Sequence, residues 1–240
     1  MIELKKSDSL RKSISAVSSF ISEGNLRFNG EGLHLRAIDH SQIVLVNFRM
    51  DKDAFDKFEI EPAFVGVDLS ELNKIMSRSQ PTDKLQISLT DSELRLQLAG
   101  EFERKFNLPL IDVREDEINL PKHTYEATVE ISARLLKEAL KDASLFGSSV
   151  VFKTKGDRFL VEAKGSHGAL NADSKDAKGI RVKSTKDITA KFSLNFLHNI
   201  IKESEAEDKI MLHLKNDAPM KIEYEIGKCR LEFFIAHMIL

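Results

Sequence analysis

The hydrophobic pattern of the chain is written twice. Val67, Leu69, Leu72 and Ile75 fall at helical spacing, and Leu85, Ile87 and Leu89 then alternate. The same switch recurs 125 residues later, at Phe192, Leu194, Leu197 and Ile200 and then Ile210, Leu212 and Leu214. Upstream, with small shifts, positions 26–28 and 33–37 correspond to 150–152 and 159–163. Agreement in pattern more than in identity predicts a duplicated domain of about 120 residues. Each copy is expected to carry an amphipathic helix, several alternating strands, a second short helix and further strands. The spacing predicts helices over 9–23, 70–79, 132–146 and 193–203, and strands that include 25–28, 43–48, 94–98 and 221–226. Gly30, Gly32, Gly100, Gly156 and Gly227 stand where hairpins need turns. The expected fold class is α+β: two similar domains of antiparallel sheets with two helices each. The domains are placed at 1–111 and 124–240, joined by an acidic connector at 112–123 that contains Pro121.

A chain of 240 residues has room for two such cores, and 42% hydrophobic with 31% charged residues excludes a disordered or low-complexity polymer. Apolar runs such as 43–46 are far shorter than the roughly 18 residues a membrane span needs, so no membrane partner is expected. The first residues place charge where an export signal needs apolar side chains, and the single Cys229 forms no internal disulfide. A reducing, cytoplasmic location follows as the expectation. A net charge of −2 excludes coating of nucleic acid by bulk charge. Any such role must come from local segregation of charge.

That segregation is on the predicted helices. In the third, Leu135, Leu136, Ala139, Leu140 and Ala143 form one stripe, and Arg134, Lys137, Lys141 and Ser144 another. The second sets Leu69, Leu72 and Ile75 against Lys74 and Arg78. The first sets Leu10, Ile14 and Val17 against Arg11, Lys12 and several serines, and the fourth contributes Lys202 with Asn195 and Asn199. Any one of these faces is what solubilises an ordinary surface helix; four of them in two repeats point to a positive helical layer on an acidic protein. Lys, Arg, Ser and Asn on a shallow layer contact phosphates without reading bases.

Enzymatic signatures are not found. Gly165-Ser166-His167-Gly168 lacks the lysine and the strand-to-helix context of a phosphate-binding loop. The seven histidines show no ligand spacing with one another or with Cys229, so no metal and no cofactor are expected. Cys229, between Lys228 and Arg230 in a strand pattern, reads as a core thiol. Asp39-His40-Ser41 are adjacent and cannot converge as a catalytic triad.

The whole chain resembles the sliding clamps of the proliferating cell nuclear antigen family, most closely those of archaeal type. The resemblance is carried by positions 33–45 (LHLRAIDHSQIVL), 106–113 (FNLPLIDV), 140–145 (LKDASL), 218–224 (APMKIEY) and 231–236 (LEFFIA), in the family's order. It implies a ring of three two-domain subunits, with the helices lining a central hole. Duplex DNA would thread the hole, contacted without sequence preference by Arg11, Lys12, Lys74, Arg78, Arg134, Lys137, Lys141 and Lys202. The ring would tether DNA polymerase, DNA ligase and flap endonuclease, and an ATP-dependent clamp loader would open it. Short client peptides would bind Ile38, Gln42, Ile43, Ile118, Leu120, Pro121, Pro219, Phe234 and Ala236. The family usually follows its terminal Ala with Pro and a basic residue; this chain reads Ala236-His237-Met238-Ile239-Leu240, which implies an altered wall to that pocket. The departure keeps an alternative in view: a subunit of a heterotrimeric clamp, or a clamp-like scaffold with specialised clients.

Overall fold

The offset in the apolar pattern is carried by whole elements. A helix at Leu69–Met76 returns at Leu194–Ile201, and a strand at Lys84–Leu89 returns at Lys209–Leu214, each shifted by 125 positions. The computed structural model describes residues 1–112, 118–175 and 177–240, so 113–117 of the expected connector lie outside the described residues. The chain divides into two units, Met1–Asn119 with Ile226–Leu231, and Leu120–Glu225 with Glu232–Leu240. No helix among the described residues is long and apolar enough to cross a membrane.

The first repeat runs β1 (Ile2–Leu4), α1 (Asp8–Ser18), β2 (Glu23–Asn29), β3 (Gly32–Ile38), β4 (Val44–Asp51) and a 3-10 turn at Lys52–Ala54. It continues with β5 (Lys57–Phe58), β6 (Ala63–Asp68), α2 (Leu69–Met76), β7 (Lys84–Leu89), β8 (Glu93–Ala99) and β9 (Arg104–Pro109). Its strands hydrogen-bond in the orders β5-β1-β7-β8-β9 and β4-β3-β2-β6, every pair antiparallel. The second repeat runs β10 (Ala127–Ser132), α3 (Ala133–Ser144), β11 (Ser149–Lys155), β12 (Arg158–Gly165), β13 (Gly168–Asp173) and β14 (Ile180–Ser184). It ends with β15 (Ile188–Ser193), α4 (Leu194–Ile201), β16 (Lys209–Leu214), β17 (Met220–Ile226) and β18 (Cys229–Ile235). The orders are β14-β10-β16-β17-β18 and β13-β12-β11-β15, which is the first arrangement with each strand replaced by the one nine places later. The expected α+β duplication is therefore the observed fold.

Alternation decides which face each strand buries. Leu94, Leu96 and Leu98 of β8 are buried and the residues between them are not. In the first unit Leu10, Ile14 and Val17 of α1 and Leu69, Leu72 and Met76 of α2 are buried. In the second, Leu136, Leu140 and Ala143 of α3 and Leu197, Ile200 and Ile201 of α4 are buried, as are Phe152, Phe159 and Phe192. The Phe159 and Phe192 rings stand 5.2 and 5.9 Å from that of Phe152. Each of the larger of these side chains contributes about 1.5–3 kcal/mol by leaving water, and Phe152→Ala would cost about 3–5 kcal/mol.

The helices depart from expectation at their ends and in phase. α1 stops at Ser18 and does not reach 23: the Phe20 and Ile21 amides both turn to the Val17 carbonyl, at 3.0 and 3.1 Å, and close the helix there. In α2 it is Met76 that is buried while Ile75 stays half-exposed, and in α3 Leu135 and Ala139 lie at the margin of the stripe. Caps are explicit where the chain turns into a helix: the Asp68 carboxylate accepts from the Glu71 amide at 2.9 Å, and the Ser132 hydroxyl from Leu135 at 3.4 Å. Gly156 and Gly227 both take φ of 58° in hairpin turns, a conformation that disfavours side chains.

Candidate functional site

Four helices in two pairs present the basic residues. α1 packs on α2, and α3 packs on α4. Their polar faces carry fewer free charges than the sequence suggests. In α1, Arg11 and Lys12 reach back to Asp8 at 2.5 and 2.9 Å; the helix begins at that acid, which favours the positive end of its dipole. In α2, Lys74 lies 2.6 Å from Glu71. In α3, Lys141 lies 2.9 Å from Glu138, while Arg134 is exposed. Arg78 and Lys202 fall just beyond the ends of α2 and α4; Arg78 is exposed, and Lys202 is 3.8 Å from Glu203.

Within the observed bounds, Arg11 and Lys12 exceed Asp8 by one charge, and Lys74 balances Glu71. Arg134, Lys137 and Lys141 exceed Glu138 and Asp142 by one, and α4 has no Lys, Arg, Asp or Glu. The four helices thus sum to +2, on a chain whose total is −2. Each helix pair keeps a net charge of +1, and most of the cations are held by intrahelical acids three or four positions away. Surface pairs of that kind are worth about 0.5 kcal/mol, little enough for a phosphate to exchange with the carboxylate.

Lys137 has a different occupation. Its ammonium donates to the Ser204 carbonyl at 2.6 Å and the Lys202 carbonyl at 3.1 Å, closing the end of α4. Tyr224 donates to the Ile200 carbonyl at 2.5 Å and Ser204 to the Ile201 carbonyl at 2.6 Å, so three side chains satisfy that terminus. Burial pushes the Lys137 pKa below its ordinary value. At the last residue of α3 the Ser144 hydroxyl and the His198 Nε2 are 2.9 Å apart, and burial, then Lys141, push the imidazole pKa down.

The residues expected to receive peptides can be followed unit by unit. In the first, the loop between β3 and β4 is built on Asp39, which is 8% exposed. Its Oδ1 accepts from the Ile43 and Val44 amides at 2.8 and 2.6 Å; its Oδ2 accepts from the Ser41 amide at 3.1 Å and from the Ser41 hydroxyl. Burial alone would raise the pKa of this carboxyl, yet these donors hold it below the ordinary value. The loop places Gln42 at φ 56°, leaves Ile38 44% exposed and sets Ile43 half-buried. Ile118 belongs to the same unit, and its carbonyl accepts from Arg36 Nη1 at 2.9 Å. In the second unit Leu120, Pro121, Pro219 and Ala236 are half-buried, while Phe234 is only 6% exposed. Beyond Ala236, the Met238 amide donates to the Lys191 carbonyl at 2.8 Å, pairing the last residues with β15.

Asp39 and Arg36 were not among the expected site residues. For Asp39 the signal was available as an Asp two residues before a Ser at a strand end, the setting of an Asx turn. For Arg36 there was none, since its partner lies 82 positions away. Cys229 is fully buried in a core position as expected, and burial pushes its thiol up to about 11 against a weaker hydrogen bond from Ser13. His40, exposed, takes no part in the Asp39 to Ser41 hydrogen bonds. Among the described residues no three of His, Cys, Asp and Glu gather as metal ligands.

Comparisons with known proteins agree along the whole chain. The model of the proliferating cell nuclear antigen N-terminal domain matches residues 1–122, and that of the C-terminal domain residues 119–239. DNA polymerase sliding clamp 1 of Thermococcus kodakarensis is 30% identical over 228 residues, covering 93% of this chain and 92% of that one. A crystal structure of PCNA from the same organism superposes with a TM-score of 0.94 at 23% identity, covering 99% of both chains. PCNA of A. fulgidus, solved with the C-terminal region of FEN-1 bound, gives 0.90 at 25% identity, covering 100% of this chain and 99% of that one.

Proposed function

Because this chain belongs to the proliferating cell nuclear antigen family, we propose that it is a DNA polymerase processivity factor: a sliding clamp that encircles duplex DNA and tethers replication and repair enzymes. The observation that carries this reading is the pair of helix pairs, built to one plan 125 residues apart, with Lys74, Arg134 and Lys141 exposed and Arg11 and Lys12 half-exposed. Three copies closing head to tail would make a ring, and a ring holds DNA by topology without tight contacts. The clamp domains are 1–111 and 124–240, with 112–123 as the connector.

The phosphate-facing set is Arg11, Lys12, Lys74, Arg78, Arg134, Lys141 and Lys202, with Lys137 adding to the field from its anchored position. Cations loosely paired to acids on the same helix suit sliding, because each passing phosphate exchanges with a carboxylate at little net change. The acids also limit the depth of the attraction, so no single register on the DNA becomes a trap. Client peptides bind at Ile38, Gln42, Ile43, Ile118, Leu120, Pro121, Pro219, Phe234 and Ala236. That A. fulgidus PCNA binds the C-terminal region of FEN-1 supports flap endonuclease as one client; polymerase and DNA ligase are the others, and an ATP-dependent loader opens the ring. The protein itself catalyses nothing and works inside the cell, with the chromosome.

Light scattering on the eluting protein tests the ring. A mass of about 81 kDa, three times the 27.1 kDa of one chain, at low and high salt is the expected result. A persistent monomer removes the self-sufficient ring and moves the reading to one subunit of a mixed ring.

A further inference from the structure

The Arg36 side chain joins two parts of the first unit that the sequence separates by 82 positions. It stands on β3 two residues before Ile38, on the same face of the strand, and its Cα partner across the β3-β4 pair is Asn47. Its Nε donates to Asn47 Oδ1 at 3.3 Å, and its Nη1 donates to the Ile118 carbonyl at 2.9 Å. A planar guanidinium held by one cross-strand acceptor has its remaining N–H directions fixed, so the Asn47 bond aims the one to Ile118. Ile118 follows residues 113–117, which lie outside the described residues, and on their other side the Ile111 amide donates to the Gly66 carbonyl at 3.0 Å. The bond from Arg36 fixes the Ile118 peptide unit to the strand that carries Ile38. Arg36 is exposed, so its loss removes no core packing.

We propose that Arg36 is a positioning residue for client-peptide binding: it presents Ile118 at a set place next to Ile38 without itself touching the peptide. The inference rests on the peptide-surface reading given above. Ordering a chain segment in advance removes that entropic cost from the binding step, and losing one charge-assisted hydrogen bond that does so lowers affinity by a factor on the order of ten.

The test uses the full chain and, as probe, a fluorescent peptide of the C-terminal region of FEN-1, titrated by anisotropy against wild type, Arg36→Ala, Arg36→Lys and Ile38→Ala. The amide resonance of Asn119, whose peptide unit contains the Ile118 carbonyl, is followed in the peptide-free protein, and thermal unfolding is recorded for all four. The expected result has three parts. Arg36→Ala weakens binding about tenfold with an unchanged melting temperature and a shifted Asn119 resonance. Arg36→Lys, able to make one bond to Ile118, recovers part of the affinity and part of the shift. Ile38→Ala weakens binding with Asn119 unmoved. Wild-type affinity in Arg36→Ala beside weakened Ile38→Ala overturns the positioning role and leaves the surface standing. Weakened binding with an unmoved Asn119 resonance overturns it too, since Arg36 then touches the peptide directly. Wild-type affinity in both Arg36→Ala and Ile38→Ala sinks the surface reading and this inference with it.

Discussion

Removing the Asp39 carboxylate should loosen one loop by an amount the structure lets us work out. Four hydrogen bonds converge on it, three of them from backbone amides, and the amides of Ile43 and Val44 have this carboxylate as their acceptor. A bond to a charged group contributes about 1.5–3 kcal/mol, and an orphaned buried amide costs about 1–3. The bonds share one loop and do not add, so the two orphaned amides set the scale, at about 3 kcal/mol for Asp39→Ala. Asn keeps one oxygen for Ile43 and Val44 but turns an NH2 group toward the Ser41 amide, and should cost about half as much. The pH dependence has a definite sign. A carboxyl depressed in the folded state stabilises above its unfolded pKa, near 3.8, and the stabilisation disappears as pH falls from there through the folded value. Urea unfolding at one fixed protein concentration, at pH 7 and in steps down to pH 3, should show the gap between wild type and Asp39→Ala narrowing at the acid end. Amide exchange at Ile43 and Val44 should accelerate in the variant. Stability within about 0.5 kcal/mol of wild type at pH 7, with both amides still protected, would refute the reasoning.

Lys137 and Lys141 lie one helical turn apart and should separate cleanly: Lys137→Met should lower stability by about 1–2 kcal/mol in thermal unfolding through loss of the α4 terminus, whereas Lys141→Met should leave it within about 0.5. On DNA the order reverses, and Arg134→Ala or Lys141→Ala should each flatten the salt dependence of non-specific duplex binding by about one unit of slope for each phosphate the side chain neutralises. Glu223 is held at about 2, chiefly by the hydrogen bond from His213, against burial and with help from Lys221. Its stabilisation is therefore complete above the unfolded value of 4.5 and fades toward pH 2; a Glu223→Gln variant that loses stability in step with wild type over that window contradicts the assignment.

The duplication was legible because burial imposes periodicity locally. Val67 to Leu89 and Phe192 to Leu214 each encode a helix-to-strand switch within some twenty residues, and the elements fall where the switches do. What the periodicity did not carry was competition at helix ends. The apolar spacing runs on from Val17 to Ile21, yet the Phe20 and Ile21 amides both turn to the Val17 carbonyl and close α1 before it. The basic faces were legible as charge, but each cation's partner was not: Lys137 looks like Lys141 in sequence, and only the end of α4, some 65 residues on, takes its ammonium out of the exposed set. Arg36 was invisible for the same reason. Phe234 shares its strand face with Glu232 and Ala236, opposite Leu231, Phe233 and Ile235, and that it is nonetheless only 6% exposed is what alternation alone did not show.

The most direct measurement is retention on DNA. The protein is loaded with an ATP-driven clamp loader onto nicked circular DNA, passed through a sizing column in high salt, and compared before and after the circle is cut once. A sliding ring stays with the circle and is lost from the linear molecule, because only the circle has no end to slide from. Equal retention on both forms, or equal loss from both, would contradict the central claim that the helices surround DNA.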